Sequence, residues 1–118
     1  MLLRACLLVS VIFATSQPEP ATVDDLERLA RILLESLRST EVLINLKAKN
    51  NTITLFNRAT EFTIDDASLL ALPFKDYADF DELQSLLMSA KNAVAQNPSE
   101  AQALLVSATE LLARFSID

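Results

Sequence analysis

The sequence contains no glycine, no histidine and no tryptophan, and its one cysteine is Cys6. Glycine supplies the positive-φ positions of tight hairpins, bulges and strand corners, so its absence argues against a β-rich fold. It also removes the glycine-rich loops through which P-loop and dinucleotide-binding proteins approach phosphate. Without histidine the chain lacks the commonest general base and the commonest metal ligand. A single thiol leaves no disulfide framework, no Cys-based zinc site and no Cys/His pair. No serine or lysine stands in a recognisable catalytic motif. The expectation is a non-enzymatic protein without cofactor or bound metal.

The densest acidic group, Asp76, Asp79, Asp81 and Glu82, offers oxygen ligands of the kind calcium takes. It lacks the glycine and the ligand spacing of an EF-hand loop. Asp79 and Glu82 read instead as the N-cap and capping-box partner of the helix that follows.

At the N-terminus, Arg4 precedes an apolar run from Leu7 to Ala14, and Ala14-Thr15-Ser16 puts small residues where an export signal is cut. This predicts a signal peptide over 1–16 and a single helical domain over 17–118, secreted to the extracellular space. The apolar stretch Ala5 to Ala14 falls short of the ~20 residues of a bilayer-spanning helix, and Gln17-Pro18-Glu19-Pro20 stops it. No later stretch is long and apolar enough to span a membrane. Cleavage would remove Cys6 and Arg4, leaving nine basic residues against sixteen acidic ones. So acidic a chain, with no Lys/Arg cluster, lacks the electrostatic footprint for nucleic acid and for anionic lipid.

Helical periodicity is clearest at the C-terminus. Asn97 is an N-cap, Pro98 fits the first helical position and Glu100 the capping-box site. Ala101, Leu104, Leu105, Ala108, Leu111, Leu112 and Phe115 then line one face of a helix running to about Ser116. Before it, Leu83, Leu86, Leu87, Ala90 and Val94 form a second stripe. Only Gln96 and Asn97 separate the two, which predicts an antiparallel helical hairpin.

Further upstream, Thr22 caps a helix with Asp24 and Asp25 in its first turn. Its stripe is Leu26, Leu29, Ala30, Leu33 and Leu37, widened by Ile32 and Leu34. Val42, Leu43, Ile44 and Leu46 continue it past an expected kink at Ser39-Thr40. Thr52 to Leu55 alternates like a short strand, but Leu55, Phe56, Ala59 and Phe62 fit a helical face, and a lone strand has no partner to pair with. A separate short helix is expected from Ile64 to Leu72, capped by Thr63 and ended by Pro73. Phe74 to Ala78 is then a connection. The fold class is all-α, a small bundle of four to five helices.

Asn50-Asn51-Thr52 is an N-glycosylation sequon at Asn50, in a polar stretch suited to a surface loop. Asn97-Pro98-Ser99 is excluded by its proline. Surplus apolar surface is expected at Leu29, Ile32, Leu33, Leu34 and Leu37, and at an aromatic rim of Phe74, Tyr77 and Phe80 around the Pro73 connection. Such surface points first to a protein partner or homo-oligomer. It points second to a carrier in which Leu29, Leu33 and Leu37 line a cavity for a small apolar ligand such as a fatty acid or sterol. A third expectation is adsorption of amphipathic helices to lipid or another apolar surface.

Overall fold

The computed structural model describes residues 21–45 and 51–115. Among them are four α-helices and no strand: α1 (Val23–Asn45), α2 (Asn51–Leu70), α3 (Phe80–Ala93) and α4 (Pro98–Leu112), with a 3-10 turn at Leu72–Phe74 between α2 and α3. No helix among the described residues is long and apolar enough to cross a membrane.

Buried positions recur with alternating steps of four and three. In α1 they are Leu29, Leu33, Ser36, Thr40 and Leu43. On α2 they are Thr60, Ile64 and Ala67, continued by Ala71. Leu83, Leu87, Ala90 and then Val94 follow the same rhythm at α3, as do Ala101, Leu105, Ala108, Leu112 and Phe115 at α4. A 3.5-residue repeat keeps each seam turned toward its neighbours along the whole helix, which favours the shallow crossing angles of a bundle. Accordingly α1 packs on α2 and α4, and α3 packs on the same two helices.

Three seam positions are hydroxyls rather than hydrocarbons, and each is satisfied within its own helix. Ser36 donates to the Ile32 carbonyl at 2.9 Å, Thr40 to Leu37 at 2.7 Å and Thr60 to Phe56 at 2.8 Å. These small side chains sit in the core without an orphaned donor, and no buried side-chain nitrogen or oxygen among the described residues lacks a partner.

Several local expectations need correction. The helix does not break at Ser39-Thr40: α1 continues through it to Asn45, with the Thr40 hydroxyl donating to the Leu37 carbonyl. Leu46 lies outside the described residues. Thr63 does not start a new helix: with no glycine or proline between Asn51 and Leu70, α2 runs straight through, and the Thr63 hydroxyl donates to the Ala59 carbonyl at 2.8 Å. The segment that also resembled a strand, Thr52 to Leu55, is the first part of α2.

Capping differs as well. Thr22 and Asp25 form a reciprocal box, each side-chain oxygen accepting from the other's backbone N–H at 3.1 and 2.9 Å. Asn97 accepts from the Glu100 N–H at 3.2 Å, whereas its own N–H goes to the Ala93 carbonyl, so Glu100 completes no box. Asp79 stands at the N-cap of α3 with φ −93° and ψ 6°, and its carboxylate caps nothing. The chain enters α3 through successive tight turns in which Phe74, Lys75, Tyr77 and Phe80 each donate to the carbonyl three residues back. The extended backbone that aims an N-cap side chain at the first turn is therefore missing.

The last helix stops at Leu112 rather than near Ser116, a residue outside the described ones. Arg114 and Phe115 donate to Leu111 and Leu112 in a tightened final turn. That turn carries the Phe115 ring to Phe74 and Tyr77.

Candidate functional site

The residues marked by their sequence pattern do not form one surface. Leu29 and Leu33 are fully buried, in the seam that packs α1 against α2 and α4. Ile32 and Leu37 are half-buried against the same core, and Leu34 is exposed. Of the expected aromatic rim, Phe74 belongs to the core, and Tyr77 and Phe80 are half-buried against it. Phe74 is 0% exposed, and the rings of Phe74, Tyr77 and Phe115 lie pairwise 5.2 Å apart between centroids. Phe80 is half-buried against the core. Tilted and edge-on contacts at this separation are the favoured geometries for aromatic pairs, so the cluster locks the α2–α3 connection to the end of α4. Asn50 lies outside the described residues.

Another set of side chains is more exposed than any of these. Along α2, Leu55 is 71% exposed, Phe62 68% and Leu69 64%. They are spaced seven residues apart, so they follow one line along the helix with a drift of roughly 20° per step. The buried line of Thr60, Ile64, Ala67 and Ala71 lies roughly half a turn away around the same helix. Thus α2 is apolar on two opposite faces, and the bundle covers only one. Ala59 continues the outer stripe; Arg58, Asp65 and Asp66 border or interrupt it.

One flank of that stripe faces α3. Lys91 of α3 pairs with Asp65 at 2.9 Å, and the Gln84 amide donates to the Ser68 carbonyl at 3.1 Å. Between them is a half-open groove of about 350 Å3 bordered by Ile64, Asp65 and Ser68 of α2 and by Gln84, Met88 and Lys91 of α3. Met88, also largely exposed, extends the apolar surface there. A second, shallower groove of about 460 Å3 runs along Arg38, Glu41, Val42 and Asn45 on α1. Neither is lined by Leu29, Leu33 or Leu37.

Among the described residues, no three Asp, Glu, His or Cys side chains come together as a metal site. Asp76, Asp81 and Glu82 are exposed and Asp79 is half-exposed.

The heptad line of Leu55, Phe62 and Leu69 was readable in the sequence. A helix boundary at Thr63 hides it, because the upper and lower halves of the line then fall in different elements.

Comparison of the chain with models of known families, with curated proteins and with solved structures finds no match. The functional reading therefore rests on the geometry of this chain: an all-α helical bundle with an uncovered apolar stripe on one helix.

Proposed function

We propose that this protein is a secreted, non-enzymatic binding protein whose helical bundle presents the outer face of α2 to another protein surface. The observation that carries the reading is the line of Leu55, Phe62 and Leu69, each about two-thirds exposed or more, on a helix whose opposite face is already buried. Scattered single apolar residues on a surface need no explanation, but three large ones aligned over about 21 Å of helix do. In this reading α3 and α4 form an antiparallel hairpin that backs α1 and α2, so that the α2 stripe is displayed on a rigid support.

Protein contact is favoured over carriage of a fatty acid or sterol. Leu29 and Leu33, the side chains expected to line a ligand cavity, pack against core residues, and the groove beside α3 is rimmed by Asp65, Gln84 and Lys91. Export rests on the Arg4 to Ser16 pattern, which also makes the sequon at Asn50 an acceptor for glycan where the host glycosylates.

Native mass spectrometry of the exported chain tests this, since it reports processing, glycan, adducts and stoichiometry together. Complexes with protein are expected, and Phe62→Asp should abolish them while leaving helicity and unfolding midpoint unchanged. Complexes that survive both Phe62→Asp and Leu69→Asp, or a stoichiometric apolar adduct on a monomer, would overturn the proposal.

A further inference from the structure

The α2 stripe has a symmetry that selects its occupant. Leu55 and Leu69 each lie seven residues from Phe62, on opposite sides, and Arg58 and Asp66 each lie four residues from it. Reversing the helix end for end about Phe62 therefore sets Leu55 on Leu69, Phe62 on Phe62, and Arg58 on Asp66. The three large apolar positions meet one another and the cation meets an anion at both ends, while the small Ala59 falls opposite Asp65. Asp65, on the same flank as Arg58, is already paired with Lys91 at 2.9 Å, so the matched charges are Arg58 and Asp66. Neither Arg58 nor Asp66 takes part in an ion pair within the described residues. Both are thus free to pair with something outside the chain.

We infer that the surface covering α2 is a second copy of this chain, docked antiparallel through α2 about a two-fold axis at Phe62. This rests on the reading of α2 as a protein-binding face and names the partner. A two-fold contact is self-complementary by construction, each residue meeting the partner's counterpart of its own neighbour. A pattern with like apolar ends and opposite charges at matched distances from its centre meets that condition. A parallel pairing does not, since it would set Arg58 beside Arg58 and Asp66 beside Asp66. Seven-residue spacing of large apolar side chains is also what two helices need to stay in contact over several turns. Met88, exposed on the flank near Asp65, widens the buried area beyond the single stripe.

Two measurements on the full chain test the inference. Sedimentation equilibrium up to about 100 μM should show a dimer, weakened at least tenfold by Phe62→Asp. Arg58→Glu and Asp66→Arg should each weaken self-association, and an equimolar mixture of these two variants should restore it, because the antiparallel register then pairs opposite charges at both ends. A mixture that associates no better than either variant alone would overturn the register. Photo-crosslinking from benzoylphenylalanine at position 62, in cells producing the chain, then separates the levels of the proposal. A product of twice the chain mass, linked between copies of α2, supports the second copy. A product with a different protein, or a link within one chain, overturns the second copy; the former leaves the binding-face reading standing. No product at all, with a monomer in the centrifuge, removes both.

Discussion

Replacing Phe74 with alanine separates the two places this residue could occupy, an exposed rim that docks a partner or the packed interior. The ring is fully buried and touches Tyr77 and Phe115 with centroids 5.2 Å away. Truncating a buried phenylalanine costs about 3 to 5 kcal/mol, and each lost aromatic pair adds about 0.5 to 1.5 kcal/mol to what area burial alone would give. Because pair and burial contributions overlap, the expected loss is in the upper half of the first range, about 4 to 5 kcal/mol. Against a total stability of about 5 to 15 kcal/mol for an ordinary domain, that is large enough to bring the variant close to unfolding. The assay is urea denaturation followed by far-UV circular dichroism, in a Phe62→Asp background so that association does not enter the unfolding equilibrium. With a slope near 2 kcal/mol/M the midpoint should fall by about 2 M at unchanged slope. Phe74→Leu, which keeps most of the volume but loses the ring contacts, should recover more than half of the loss. A loss under about 1 kcal/mol for Phe74→Ala would refute the packed cluster and return Phe74 to the surface.

In α4, Leu105→Ala should cost about 2 to 5 kcal/mol and Leu104→Ala clearly less, since Leu105 is fully buried and Leu104 only half so; equal losses in the same titration would mean the helix is rotated. Asn97→Ala should cost about 0.5 to 2 kcal/mol because its side chain accepts from the Glu100 N–H, while Asp79→Ala, whose carboxylate caps nothing, should stay within about 0.5 kcal/mol. Leu34→Glu changes an exposed position on α1 and should leave both the unfolding midpoint and the association constant near those of the parent; a lost dimer would move the interface to α1. Intact-mass analysis of exported protein should find an N-terminus at or near Gln17, and recovery of a membrane-retained chain beginning at Met1 would overturn the assignment of the first sixteen residues.

Helix class, the caps at Thr22 and Asn97, and the seam residues of α3 and α4 were legible in the sequence because they depend on local chemistry and on period alone. A cap needs only its own first turn, and a stripe such as Leu83, Leu87, Ala90 and Val94 is apolar wherever the helix is placed. What only the tertiary structure decided are the questions that involve distant residues. Whether Phe74 and Tyr77 form a rim or a core depends on Phe115, which arrives from the far end of α4. Whether Leu33 or Leu34 faces inward depends on where α2 and α4 lie against α1. The clearest case is α2, which carries apolar side chains on opposite faces: periodicity finds both lines but cannot rank them. Packing on α1 and α3 buries the line through Ile64 and Ala67, and so leaves Leu55, Phe62 and Leu69 facing out. Burial is a property of pairs of surfaces, and a sequence read one helix at a time contains only one member of each pair.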